Sequence, residues 1–404
     1  MIKCIDVADV KTGMYVHDLN CDWSSHPFFR KRFQIKSDTE IAKIIEAGIH
    51  EIYIDTEKGL DVSHARSVDE VNASLQQQMI EAVTGKPAPA ITLSFAEELG
   101  RANRIKSQAH ALVRTVMQDV RLGRAVELEQ VEPMIESITE SVLSNSGALL
   151  TLLRIKNKDD YTFLHSVSVG TLMIAFCHSV GMDTDTIHLA GLGGILHDTG
   201  KALVPDEILN KPGRLTEAEF DIIKRHPRDG FDILSRTEGI GEIPLDITLH
   251  HHERVDGSGY PHRLNGDTIS TLAKMAAIVD VYDAITADRC YHKGMAPTDA
   301  LRKIFEWSKY HFDPKLVQAF MRCVGIYPVG TLVLLESGKL GVVIEQHHSN
   351  LLTPKIKVMY SSRSNTYLQP EIIDLSRPLG FGGGDRIVRH EAPEKWGINP
   401  LRFM

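Results

Sequence analysis

Residues 189–201 read LAGLGGILHDTGK, an apolar helical run that ends on a histidine and an aspartate side by side, His197 and Asp198. Neighbouring side chains diverge on a regular helix, so such a pair suits a helix end, where both can converge on a cation. Gly193, one turn earlier, leaves room for another helix or a ligand to approach closely. The stretch sets the expectation of a mainly α interior with coordinating side chains. Taken alone, an HD pair is ordinarily a solvated surface feature.

Outward from this stretch, helical periods run from about Val131 to Arg322, broken by loops that carry histidines. His165, in YTFLHSVSVGTLMIAF, shares a helical face with Val169, Leu172 and Phe176 and should look inward. His226 stands at the end of LTEAEFDIIKRHP, a helix expected to open with the capping box Thr216 to Glu219 and to break at Pro227. A cation near a helix C-terminus is the plain structural explanation of that histidine. Asp280 lies in KMAAIVDVYDAITAD with Ala276, Ala277 and Ala284 about one turn away. A carboxylate in so apolar a helix is costly to bury without a cation or hydrogen-bond donors.

Residues 250–261, HHHERVDGSGYP, add three histidines, an acid and an arginine ahead of a turn. Asp256, Gly257, Ser258 and Gly259 permit unusual backbone angles there, and Pro261 stiffens the exit. Each of these residues has a bland reading, but the bland readings must all hold at once, whereas one shared metal site satisfies the inward-looking groups together. Mixed histidine and carboxylate ligands suit Fe, Mn, Ni, Co or Zn. The five cysteines, Cys4, Cys21, Cys177, Cys290 and Cys323, form no CxxC pair, which argues against a structural zinc or iron–sulfur site and for a reducing cytoplasm.

A chain of 404 residues divides into two or three domains. Its net charge of -8 argues against a broad basic field for a nucleic-acid polymer, while leaving a small anionic ligand open. MIKCIDVADVKTG lacks a signal pattern, and no run of about 18 apolar residues could span a bilayer. The expected location is the cytoplasm.

The flanks differ from the centre. IKCIDV, MYVHDL and HEIYID read as strands around SDTEIAKIIEAG, a helix with a capping box from Ser37 to Glu40, one face of Ile41, Ile44 and Ile45, and a stop at Gly48. From Thr56 to about Ser94 the chain turns polar and reads as a mobile connection. Ala102, Ile105, Ala109, Leu112 and Val116 then mark the seam of a helix pair packed within one chain. At the other end, VGTLVLLESGKLGVVIEQ reads as two strands joined at Glu336 to Lys339, followed by strand-like KIKVMY and EIIDL.

HDTGK, RHP, HHERVDGSGYP and VDVYDAITADRCY, in that order between about Asp159 and Cys323, resemble the HD-GYP family of HD metal-dependent phosphohydrolases. The leading segment is similar to the uncharacterised domain that often precedes HD-GYP modules in bacteria. The expected fold is multidomain and mainly α: a small α/β N-terminal domain at 1–56, a linker at 57–94, connecting helices at 95–153, an all-α HD-type helical bundle at 154–325 and a short β-rich C-terminal appendage at 326–404.

The resemblance implies hydrolysis of cyclic di-GMP to pGpG, commonly continuing to GMP, at a metal centre inside the bundle. The implied ligands are His165, His197, Asp198, His226, His251, His252 and Asp280, with Asp198 bridging two divalent ions, Fe, Mn or Ni. His250 matches no family ligand. Tyr161 stands where members with a third metal carry a glutamate, so two ions are expected. Such a pair lowers the pKa of a shared water and draws charge from phosphoryl oxygens. Lys201, four residues beyond His197, would contact the same phosphate.

Arg289 and Lys293 are expected near the second phosphate or a base, with a bridge between helix ends as an equal structural reading of Arg289. Tyr260, beside Gly259, packs on the bundle or faces a guanine. The GYP loop is tied in the family to substrate recognition and to partner proteins, so a signalling-protein partner is implied there, and a homodimer is a further expectation. Two other functions stay open: a cyclic di-GMP receptor with little turnover, and a hydrolase of another cyclic dinucleotide such as cyclic GMP-AMP. The complete ligand set favours turnover of cyclic di-GMP, with the N-terminal unit modulating catalysis.

Overall fold

Alternating apolar residues build the first layer. In a computed structural model, which describes all residues except 22–27, 29, 85–92, 94, 155–160, 212, 214, 288–293, 348–349, 378–383 and 404, the chain begins with β1 (Ile2–Asp6), β2 (Tyr15–Asp18), β3 (Phe33–Gln34), α1 (Asp38–Glu46), β4 (Glu51–Asp55) and β5 (Arg66–Ser67). The strands pair antiparallel in the order β3-β2-β4-β1-β5. Ile5, Val16, Ile52 and Ile54 bury against Ile44 of α1. Ile41 packs at the edge of that core, but Ile45 is 58% exposed, so the expected three-isoleucine face is narrower by one residue. Nor does the Ser37 side chain cap α1: its hydroxyl meets Thr39, and Glu40 reaches the Lys36 amide instead.

The polar stretch expected to be a mobile connection holds a helix, α2 (Val68–Val83), opened by a capping box between Ser67 and Glu70. Val71, Leu75, Met79 and Val83 recur every four residues and are buried, which gives a polar sequence one continuous apolar stripe. That stripe joins the sheet at Cys4 and Tyr53 to the helical domain at Phe305. The KPAPA segment near the end of this polar stretch, residues 86–90, lies outside the described residues.

Next come α3 (Phe95–Arg121) and α4 (Leu128–Arg154), the latter leaving helical geometry at Asn145. Ala102, Ile105, Ala109 and Val116 are buried as expected, and Leu112 is partly so. The two helices share one core with α5 (Tyr161–Ser179) and α6 (Thr184–Leu196). They form a wall of the bundle rather than a connection to it.

The bundle continues through α7 (Asp206–Leu209), α8 (Glu217–Ile223), α9 (His226–Leu234), α10 (Glu242–His250), α11 (Thr271–Thr286), α12 (Pro297–Trp307) and α13 (Pro314–Val324). The Thr216 and Glu219 capping box forms. His226, however, begins α9 instead of closing α8, because Pro227 occupies the first turn of the new helix, where its missing N–H is no loss. The explanation of His226 as a cation at a helix C-terminus therefore fails.

The chain ends in β6 (Leu332–Leu335), β7 (Lys339–Glu345), β8 (Lys355–Ser361), β9 (Thr366–Asp374), β10 (Ile387–His390) and α14 (Pro393–Trp396). These strands form an antiparallel sheet in the order β10-β6-β7-β8-β9. Val333, Val343, Ile356 and Val358 face the bundle core, while Leu332, Leu340, Val342 and Met359 pack against Ile398. Among the described residues no helix is long and apolar enough to cross a membrane.

Candidate metal centre

Three helix ends and the interiors of two further helices deliver the site. His197 and Asp198 follow the last turn of α6, which α10 approaches at Gly193, where Ile247 and Pro244 pack. His226 starts α9, His251 and His252 follow α10, His165 comes from α5, and Asp280 from the middle of α11. His165, His197, Asp198, His226, His251 and Asp280 are all nearly sealed from solvent, and His252 is only partly exposed. The structure thus brings together all seven ligands implied by the resemblance.

The imidazoles are oriented before any cation arrives. His197 Nδ1 donates to the Gly194 carbonyl at 2.7 Å, His226 Nδ1 to Ile223 at 2.7 Å and His251 Nδ1 to Thr248 at 2.9 Å. A carbonyl can only accept, so each ring carries its proton on Nδ1 and turns the Nε2 lone pair inward. His165 Nδ1 lies 2.7 Å from Asp283 Oδ2, which fixes that ring the same way, with Nε2 2.9 Å from Asp280 Oδ1.

These commitments leave lone pairs facing lone pairs. His226 Nε2 is 3.2 Å from His251 Nε2, and Asp198 Oδ1 lies 3.3 Å from the first and 3.9 Å from the second. His197 Nε2 and Asp198 Oδ1 are buried with no hydrogen-bond partner. Buried polar groups are normally paired, and a divalent cation supplies what this set lacks. The ligand atoms fall into overlapping groups within 4.8 Å: His226, His251 and His252; His165, His197 and Asp280; His197, Asp198 and His251.

The electrostatics agree with this reading. Burial holds His251 and His252 well below, and His226 below, the usual imidazole range, which keeps them neutral as ligands must be. His197 is the exception: burial opposes its charge, but Asp198 and then Asp280 outweigh it and set its pKa at about 10, so a cation that takes its Nε2 lone pair must displace a proton. Burial would raise both carboxyls, yet His197 and Lys201 hold Asp198, and His165 and His197 hold Asp280, well below the carboxylate range. The centre carries carboxylate charge that calls for a positive partner.

A cavity opens beside the cluster, lined by Lys201, His252, Tyr260, Ala277, Asp280 and Ala284 among others. Of the three alanines about one turn from Asp280, Ala277 and Ala284 border this open space. Lys201 Nζ sits 2.6 Å from Asp198 Oδ2 at the cavity wall. Tyr260 stacks on His252, with ring centroids 4.7 Å apart. Gly259 is required where it stands, since a Cβ there would lie 2.4 Å from the Arg254 nitrogen. His250 faces away, bonded to Asp246 at 2.8 Å. Arg289 and Lys293 lie outside the described residues, as does the side chain of Tyr161.

Two functional residues went unread in the sequence. Asp283, buried and bonded to His165, sits three residues after Asp280 in the same apolar helix; that spacing was the available signal. Glu253, also buried, accepts from the His262 amide at 2.7 Å and the Leu264 amide at 3.0 Å and so ties down the GYP loop. A separate group, Cys4, Glu51 and Glu306, also gathers ligand-type atoms. Its charge is already met, because Tyr53 and Asn20 donate to Glu306 and Lys309 pairs with Glu51.

Residues 2–131 match the family described as a domain of unknown function (DUF3391), and residues 135–316 match the HD domain family. Over 405 aligned residues the chain is 42% identical to the cyclic di-GMP phosphodiesterase PA4108 of Pseudomonas aeruginosa, spanning 100% of this chain and 95% of that relative. It is 31% identical to the cyclic di-GMP phosphodiesterase response regulator RpfG of Xanthomonas campestris, across 58% of this chain and 67% of RpfG. A 3′3′-cGAMP-specific phosphodiesterase 2 of Vibrio cholerae is 34% identical across 40% of this chain and 31% of its own length.

Proposed function

Because the chain belongs to the HD-GYP family, we propose that it is a cytoplasmic phosphodiesterase that hydrolyses cyclic di-GMP to pGpG and on to GMP at the His and Asp cluster. The observation that carries this reading is the convergence of four imidazole Nε2 atoms, their Nδ1 sites already engaged, on Asp198 and Asp280. Two divalent ions, Fe, Mn or Ni, would suit the overlapping ligand groups, and Asp198 would be the carboxylate they share. Held there, such ions offset phosphoryl charge and make a water easier to deprotonate.

The chain's own groups divide the remaining work. Lys201, at the cavity wall, binds a phosphate oxygen and stabilises the charge that builds there. Gly259 lets the backbone come close, and the Tyr260 ring, braced by His252, forms one wall for the nucleotide. Arg289 and Lys293 are proposed contacts of the second phosphate. In the first step a water oxygen bonds to phosphorus and the bond to the 3′ oxygen breaks, that oxygen taking up a proton, which opens the ring to pGpG.

The test combines elemental analysis of protein purified without chelator with product chromatography on the same sample. Cyclic di-GMP and cyclic GMP-AMP are run side by side, on the unaltered protein and on Asp198→Ala. About two metal ions per chain, preferred turnover of cyclic di-GMP, and loss of turnover in the variant are expected. A fully loaded protein that leaves cyclic di-GMP intact would overturn the reading, and preference for cyclic GMP-AMP would move it to that substrate.

A further inference from the structure

Behind the metal centre lies a second and larger cavity, with about 110 Å³ of water-accessible space, between α4, α5, α11, α13 and the C-terminal sheet. Its walls are mostly apolar: Leu143 and Leu150 from α4, Leu172 and Ala175 from α5, Val324 from α13 and Ile344 from β7. Asn145, where α4 leaves helical geometry, is a buried part of the wall.

Two polar atoms in this wall have no partner. Ser168 is 2% exposed, and its hydroxyl makes no hydrogen bond, although Thr171 on the same helix bonds back to the Val167 carbonyl. Gln346 donates its amide nitrogen to the Tyr327 carbonyl, which leaves its buried Oε1 without a donor. Buried polar atoms are ordinarily paired, and both of these border the cavity. They are the kind of fixed polar points that orient a ligand inside an apolar pocket.

The wall also selects by charge. No lysine or arginine lines the cavity among the described residues, so a phosphate-bearing ligand finds no strong cationic partner. Its two carboxylates are engaged, Glu345 with Lys355 at 2.7 Å and Asp283 with His165 at 2.7 Å. A cation therefore gains little either. Gln346 Oε1 can only accept, which asks for an N–H or O–H on the ligand. Asp283 is the contact with the metal centre: one carboxylate borders this cavity and holds the His165 ring.

We propose that this cavity binds a neutral, mainly apolar small molecule bearing at least one hydrogen-bond donor, and that its occupancy adjusts catalysis through Asp283 and His165. The site is distinct from the nucleotide site in both place and charge. Only the catalytic half of the proposal rests on the phosphodiesterase reading.

The probe is N-phenyl-1-naphthylamine, which is neutral, apolar, carries a single N–H and fluoresces in apolar surroundings. With the full-length protein the expected result is a saturable, blue-shifted signal at one probe per chain. Leu143→Trp, placed at a half-exposed rim position so that the fold tolerates it, should weaken binding at least about tenfold while leaving turnover without probe unchanged. Gln346→Leu should weaken it about fivefold, the counterpart of one hydrogen bond, and should not affect displacement by 1-phenylnaphthalene, which has no donor. No saturable signal, or a signal indifferent to Leu143→Trp, would overturn the site. Saturable binding that leaves cyclic di-GMP turnover unchanged would overturn the link to catalysis. A protein without any turnover would fail the phosphodiesterase reading while the fluorescence result still decides the cavity.

Discussion

At the scale of single residues, Lys201 and Asp283 act on the same cluster through different members, Asp198 and His165. Lys201→Ala removes a cation from the cavity wall without removing a ligand, so turnover should fall about 100- to 1000-fold while metal content per chain stays constant. Loss of metal along with turnover would make Lys201 a support of Asp198 instead. Asp283→Ala should do the reverse: with no acceptor for its Nδ1 proton, His165 is free to turn, and metal affinity should drop about 10- to 100-fold in competition with a fluorescent chelator. Asp283→Asn keeps an acceptor oxygen and should recover part of the loss, which a merely packed side chain would not. The seven residues that gather in the cluster were legible in the sequence because His and Asp are rare in apolar helices and recur here in family order. Asp283 and Glu253 were not, since a residue that holds a ligand or a loop is defined by the atom it touches, and that atom is remote in sequence.

At the scale of elements, local signals succeeded where the backbone could obey them without competition. Thr216 and Glu219 form their box, whereas the same pattern at Ser37 and Glu40 is undone by a neighbouring hydroxyl and by the Lys36 amide. Thr216→Ala should therefore cost about 1 kcal/mol in denaturant unfolding, and Ser37→Ala less than about 0.5 kcal/mol. Equal costs would mean that the pattern matters more than the bonds formed. The reading of residues 57–94 as a mobile connection failed because composition outweighed period: Val71, Leu75, Met79 and Val83 sit in polar surroundings, yet four apolar residues at four-residue spacing suffice for a buried stripe. Pro227 misled for a related reason, since a proline that ends one helix can equally well open the next.

At the scale of the whole molecule, the N-terminal sheet grips the part of the bundle that carries the GYP loop. Tyr53 donates to Glu306 at 2.6 Å, Asn20 bridges Glu306, Lys303 and Trp307, and His50 stacks on Tyr310. The turn after α12 then reaches both partners: His311 bonds through its ring to the Gly48 carbonyl, and its own carbonyl accepts from the Val255 amide. Tyr53→Phe combined with His50→Ala should loosen this brace and raise KM for cyclic di-GMP several-fold with metal content intact; unchanged kinetics would leave the domain without influence on the loop. Whether the brace also senses pH turns on Asp256, which His50 meets at 3.3 Å and His311 at 3.9 Å. Burial alone would raise this carboxyl, but the Ser258 hydroxyl and amide, with the two histidines, outweigh it and hold it below the usual range. A carboxyl with a lower pKa folded than unfolded adds stability that is complete above the unfolded value of about 3.9 and is lost as pH falls through the folded value. The advantage of the unaltered protein over Asp256→Asn in chemical unfolding should thus shrink only below about pH 4. If it shrank already between about pH 6 and 8, the histidines rather than the carboxylate would govern the contact, and the domain would be a pH-dependent clamp instead of a fixed brace.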